Sequence, residues 1–479
     1  MSKPEETSAP EEITQTTQHT LEVQGRTLRY TAIASTMHLK GGAKAAEAAI
    51  FSVAYILDQP ADAPPRPVTF CFNGGPGSST MWLHMGALGP RRVNLPDAVA
   101  PAPPPYTVVD NPEGLLDLSD LVFIDPMGTG FSKVLGEGKL KAYTQVEGDV
   151  TSLAEFIERW ISRHGRWNAP KFLAGESYGT TRAAGIADHL NERGVAFNGL
   201  LLFSVAFDFQ TFVHTQNNDL PLILFLPSYT ATAAYHQRLA VNTDLPALLK
   251  EARAFALGPY ASALLQGAAL PKVDAHAIAH RLEALTGVEA QIWLDHDLRI
   301  DQGRFCALLM ADERKIVGRL DSRYLARNPV VGGGPVEVDP SYISLLGPFV
   351  GAVNDHLRRT LGWTDETPYE AFSLKVNEDW TVDRPYWAGF LDVSDRMRKA
   401  MLANPHMKLY VANGLLDLAT PFAGTEYSVA HLGTEPELQA AITAHEYEAG
   451  HMMYLHGPSR AQMRTDLVAF YGAVLHPQT

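Results

Sequence analysis

Ser177 stands in Gly175-Glu176-Ser177-Tyr178-Gly179, directly after the apolar run Lys171 to Ala174 and before a helical stretch from Thr180 to Leu190. A hydroxyl attacks a carbonyl only when it projects from a sharp strand-to-helix turn, and such a turn crowds the backbone so closely that its flanks need to be glycine. The pentapeptide reads as a nucleophile elbow, against the plainer alternative of a glycine-rich turn with a bystander serine. A serine nucleophile needs a base and a group that orients the base. Downstream, Asp417 ends the loop Asn413 to Asp417 after the strand-like Lys408 to Ala412, and His451 follows a turn at Gly450 just before the closing helix. One of 17 histidines in a loop would by itself pass for a structural residue. In this order and these contexts, Ser177, Asp417 and His451 form a candidate triad. Acyl transfer also needs donors aimed at the developing oxyanion. The loop Asn73 to Ser79 follows the strand Val68 to Phe72, and its adjacent glycines let main-chain N–H groups approach a ligand. Gly75 N–H and Tyr178 N–H are the expected oxyanion pair. The alternatives are a plain turn or a phosphate loop, but the latter would end in Gly-Lys-Ser/Thr, and none follows.

The elements that must hold these residues are legible in outline. Strand-like runs recur at Arg29 to Ala34, Ala49 to Leu57, Val68 to Phe72 and Leu121 to Ile124. A helix from Val146 to Ser162, a strand at Lys171 to Ala174, a helix from Tyr178 to Asn191 and a strand at Gly199 to Val205 follow. Strand-helix-strand order with fully apolar strands predicts a mostly parallel sheet covered on both faces. From 208 to 385 the periodicity is mostly helical, interrupted by Gly332 to Pro335. Met407 to Ala412 and Ala444 to Tyr447 restore the strand signal, and Ser459 to Leu475 closes as an amphipathic helix. The expected division is an acidic disordered tail over 1–22, a core over 23–207 and 386–479, and a helical cap inserted over 208–385. The fold class is α/β, of the α/β-hydrolase arrangement, in which the triad runs Ser, then Asp, then His.

With 479 residues, 46% hydrophobic and 19% charged, the chain can bury a large core. A formal charge of -14 leaves no basic footprint, so nucleic acid and anionic membrane are not expected partners. The first twelve residues lack the apolar stretch of a secretory leader, and the apolar Leu220 to Leu226, closed by Pro227, is too short to span a bilayer. Only Cys71 and Cys306 are present, which gives no disulfide framework and favours a reducing, cytoplasmic setting. Cys71, in an apolar strand, reads as a small core residue.

Four motifs taken together, Phe72 to Ser79, Asp125 to Ser132, Gly175 to Gly179 and Ala449 to Met452, resemble the serine carboxypeptidase family, in a bacterial-type, intracellular form without disulfides. The resemblance implies hydrolysis of C-terminal peptide bonds through an acyl-enzyme, with no cofactor, no metal and a peptide as partner. It implies further that Asn73, the Gly74 N–H and Glu176 bind the substrate's terminal carboxylate. The chain departs from the family at Ala87, where a second glutamate would share that network. Two carboxyl groups facing a third acid work only when protons are shared. His84, one helical turn away, is either a stand-in for the lost contact or a surface or core-edge histidine. Glu176 likewise is either a desolvated acid of raised pKa or a brace for the elbow.

Ala87 keeps other acyl chemistries open on the same core: esterase, acyltransferase or aminopeptidase, and, less compatibly with an intact triad, a non-catalytic binding protein. Side-chain preference is expected to come from the cap, where Leu222 to Pro227 and Tyr229 are candidate pocket walls or simply cap core.

Overall fold

The computed structural model describes residues 11–40, 47–60, 62–95, 99–239, 244–328, 339–382 and 389–476. Nine strands form the main path of one sheet: Thr14–Val23 (β1), Arg26–Leu39 (β2), Ala48–Leu57 (β3), Val68–Phe72 (β4), Asp120–Ile124 (β5), Lys171–Glu176 (β6), Gly199–Phe203 (β7), Lys408–Gly414 (β8) and Ile442–Tyr447 (β9). Their order is β1-β2-β3-β5-β4-β6-β7-β8-β9, and a two-residue strand, Lys133–Val134, also pairs with β3. The first three strands and β5 pair antiparallel. From β5 to β9 every pairing is parallel. Strands β4, β5, β6 and β7 are buried along their whole length, as a sheet covered on both faces requires.

Side chains alternate between two apolar layers. Phe70, Leu173, Leu200 and Leu202 pack beneath the crossover helices α1 (Val146–Arg163) and α2 (Tyr178–Glu192). Phe172, Leu201 and Phe203 face the opposite layer, with α5 (Gly457–Leu475) and α4 (Pro340–Asp355). Cys71 is fully buried in that layer, as expected of a core thiol. Among the described residues no helix is long and apolar enough to cross a membrane.

Two expectations are corrected. Residues 1–10 of the proposed tail lie outside the described residues, as does Gly332 to Pro335, but Thr14–Val23 is a strand with ten partners on β2. Its polar appearance has a simple cause: of the inward positions Gln15, Thr17, His19, Leu21 and Val23, only the last two are apolar. Thr17 and His19 pair with each other at 2.7 Å instead. Second, the cap is shorter than 208–385. Its own core joins α3 (Leu220–Tyr235) to Trp293, Phe305 and Val317, whereas Leu345, Phe349 and Val353 of α4 belong to the sheet's core. The apolar run Leu220 to Leu226 lies in α3, which continues through Pro227 to Tyr235 without becoming a membrane span. The buried Phe225, Leu226 and Tyr229 hold that helix by packing, which outweighs the one main-chain hydrogen bond proline removes.

Candidate active site

Strand β6 ends at Glu176 and α2 begins at Tyr178, so Ser177 alone makes the turn, at φ 59 and ψ -128. A non-glycine residue there is strained by roughly 1–3 kcal/mol and persists only when its surroundings over-determine it. Here Ser177 N–H donates to the Phe203 carbonyl at 2.9 Å, and the Ser177 carbonyl accepts from Thr180 N–H and Thr180 Oγ1 at 2.8 and 2.7 Å. The flanking glycines are sterically required. A Cβ on Gly175 would lie 2.2 Å from the Gly179 carbonyl oxygen, and one on Gly179 would lie 2.6 Å from that of Phe72.

The candidate base and its candidate orienter leave neighbouring parallel strands. Asp417, fully buried in the loop after β8, accepts at Oδ1 from the N–H groups of Ala419 and Thr420 at 2.7 and 3.1 Å. Its Oδ2 accepts from Thr420 Oγ1 at 2.8 Å and lies 2.7 Å from His451 Nδ1. His451 is pinned through its backbone on both sides: its N–H donates to the Leu320 carbonyl at 2.6 Å, and its carbonyl accepts from Ser204 Oγ at 2.7 Å. With Nδ1 committed to Asp417, Nε2 remains for a nucleophile. Burial opposes a charge on this imidazole, but the charge and hydrogen bond of Asp417, with Glu176, outweigh it, and the His451 pKa lies above its ordinary 6.5.

The loop after β4 lies against the elbow. A Cβ on Gly74 would fall 2.4 Å from Tyr178 N, so only glycine fits. Arg182 of α2 donates to the main-chain carbonyls of Asn73 and Gly74, which ties the loop to the helix behind Ser177. Among the described residues, neither Gly75 N–H nor Tyr178 N–H has a protein acceptor. Glu176 is 3% exposed, and its Oε1 accepts from Asn73 Nδ2 at 2.8 Å. Burial pushes its carboxyl up to about 7, against lowering by His451, the Tyr454 hydroxyl and Asn73.

One cleft of about 520 Å³ brings Asn73, Gly74, Gly75, Glu176, Ser177 and His451 together. Asp417 stands behind His451, and Tyr178 turns its ring toward Trp380 and Arg182. The expected pocket walls do not line this cleft. Leu222, Phe225, Leu226 and Tyr229 are cap core, where an apolar helix in a small domain has to be, and the cap contributes Cys306, Ile316, Val317 and Arg319 instead. His84 neither replaces a contact to Glu176 nor sits at the surface. It is buried, stacked on Phe123 and held 2.6 Å from Tyr55 Oη, and burial lowers its pKa to about 3. Ala87 is a core residue, 1% exposed. Sequence reasoning missed Thr420, Arg182, Arg319 and Tyr454, whose roles depend on contacts between distant segments. The spacing of Thr420 three residues after Asp417 is a local turn signal that could have flagged it.

Residues 46–210 match the family model described as serine carboxypeptidase. Two curated relatives, the pheromone-processing carboxypeptidases kex1 of Talaromyces marneffei and KEX1 of Colletotrichum graminicola, are each 30% identical over 123 residues. That match covers 25% of this chain and 18% of either relative's own length. The crystal structure of Kex1ΔP, a prohormone-processing carboxypeptidase from Saccharomyces cerevisiae, superposes with a TM-score of 0.56 at 16% identity. It covers 92% of this chain and 91% of that one, which makes the shared fold an α/β-hydrolase fold.

Proposed function

We propose that this chain is a serine-type carboxypeptidase that removes C-terminal residues through an acyl-enzyme, a reading supported by the match of residues 46–210 to the serine carboxypeptidase family model. The observation that carries the proposal is the shared cleft. It places a serine on a strained elbow, a histidine bonded to a buried aspartate, and a buried acid with a pKa of about 7 along one wall.

In the proposed reaction His451 Nε2 takes the proton of Ser177 Oγ as the oxygen attacks the scissile carbonyl, and Asp417 stabilises the imidazolium that forms. Gly75 N–H and Tyr178 N–H receive the oxyanion, and their lack of other acceptors supports that role. Protonated His451 gives its proton to the leaving amine, and water repeats the sequence to free the enzyme. The terminal carboxylate of the leaving residue meets Asn73, the Gly74 N–H and Glu176. An ionised Glu176 would repel it, so the neutral acid is the binding form, and a pKa of about 7 keeps that form populated. The buried, unpaired thiols Cys71 and Cys306 fit a reducing compartment such as the cytoplasm.

Digestion of a mixed peptide library followed by mass spectrometry tests the proposal. Ladders shortened from the carboxyl end, lost on capping with an amide, support it. Trimming from the amino end, or turnover of simple esters alone, would favour the aminopeptidase or esterase reading, and Ala87 keeps both in the comparison.

A further inference from the structure

Two buried polar atoms near the catalytic cleft have no aligned hydrogen bond: Glu176 Oε2 and the Tyr454 hydroxyl. A buried polar group left without a partner is destabilising, so two such groups in one place call for an explanation. They belong to each other. Tyr454, 0% exposed, comes from the short helical turn Met453–Leu455 just after His451. Its ring is packed against Gly86, where a Cβ would fall 2.6 Å from Tyr454 Cε2, and a side chain at that position would push the phenol out of place. The hydroxyl is close enough to the Glu176 carboxyl to lower its pKa, and the carboxyl raises that of the phenol in return.

We propose that Tyr454 is a positioning residue for Glu176: its phenol shares a hydrogen bond with Oε2 and aims the acid's proton into the cleft. Asn73 Nδ2 donates to Oε1, so the proton of neutral Glu176 resides on Oε2. In the free enzyme the Oε2 proton and the phenol proton compete for one hydrogen bond. When a C-terminal carboxylate enters, the Oε2 proton turns to the ligand and the phenol donates to Oε2 from behind. The substrate half of this inference rests on the function proposed above. A phenol stays neutral across the working range, so it adds no titration of its own to that of Glu176 and His451, whose charges act on each other. The titratable groups that face Glu176 are His451, Asp417 and Tyr454, and the last is the one without a second partner among the described residues.

The test is the titration midpoint of Glu176 in the full-length free enzyme, read by 13C-carboxyl NMR and assigned by the signal lost in Glu176→Gln. Tyr454→Phe removes a donor to the carboxylate and is expected to raise that midpoint by about one pH unit. 3-Fluorotyrosine at 454, a stronger donor of similar shape, is expected to lower it, and serves if the phenylalanine variant does not fold. A midpoint unmoved by both changes overturns the pairing. Separately, kcat/KM on a matched free-acid and methyl-ester pair is expected to fall for the acid alone in Tyr454→Phe. Equal loss on both would make the residue merely structural. If the wild type shows no preference for the free acid, the proposed function fails while the midpoint still decides the pairing.

Discussion

Arg182 and Asp149 form an ion pair at 2.7 Å between the two helices beneath the sheet, both side chains nearly inaccessible. The same guanidinium bonds the Asn73 and Gly74 carbonyls, so the helix that begins behind Ser177 also shapes the glycine loop in front of it. Burial holds the Asp149 pKa above its ordinary value despite the arginine, and removing the cation would leave a buried acid uncompensated. Arg182→Met is expected to lower unfolding free energy by about 3–5 kcal/mol in urea titrations. Arg182→Met with Asp149→Leu is expected to recover much of that stability but not kcat, because the Asn73 and Gly74 carbonyls still lack the guanidinium that ties the loop to α2. Full recovery of kcat in the double variant would mean the loop does not depend on Arg182.

The nucleophile and base are expected to act as one unit. Ser177→Ala should lower kcat by several orders of magnitude and abolish fluorophosphonate labelling without loss of fold, and His451→Ala should cost about as much. Adding His451→Ala to Ser177→Ala should change little further. Additive losses, or a Ser177→Ala variant with more than about a tenth of wild-type kcat, would remove Ser177 from the nucleophile's role.

How much of this was legible in the sequence follows from how local each signal is. Ser177, Asp417 and His451 sit at strand ends inside short motifs, and the fully apolar strands announce a two-sided sheet, so the placement of these three residues and the sheet core were readable. Strand β1 was not, because Gln15, Thr17 and His19 take three of its five inward positions and leave only Leu21 and Val23 to signal a buried face. Arg319 and Tyr454 were illegible for a different reason. Each matters through one contact across a long stretch of chain, and a single arginine or tyrosine carries no periodicity to betray it.

Arg319 lines the cleft from the cap, and its charge opposes protonation of His451. Neutralising it removes that opposition and raises the base's pKa further above 6.5. Arg319→Gln is therefore expected to move the acid limb of kcat/KM to higher pH on any substrate, ester or peptide. An acid limb that stays in place in a stopped-flow pH series would show that the guanidinium is screened by solvent.

The pH profile on free-acid peptides is expected to have two limbs with different owners. On the acid side, activity requires neutral His451, whose pKa is raised above 6.5, so rate rises with pH through that value. On the alkaline side, binding of the terminal carboxylate requires protonated Glu176, and that form is lost as pH rises through about 7. The two requirements overlap only narrowly, because each group's charge also stabilises the opposite charge on the other, and the bell reports the pair. An amide-capped or ester substrate makes no demand on the Glu176 proton, so its alkaline limb should vanish while its acid limb remains. With Ala87 supplying no second carboxyl, selectivity for the free acid rests on one charge-assisted hydrogen bond, worth roughly 1.5–3 kcal/mol, or about ten- to a hundredfold in kcat/KM near pH 6.5. Glu176→Gln should flatten the alkaline limb for the free acid, since an amide donates at every pH. Measuring kcat/KM from pH 5 to 9 on a matched acid and amide pair checks all of this. A wild type more than about a thousandfold selective for the acid, or an amide substrate with the same alkaline limb, would place carboxylate recognition on some other group.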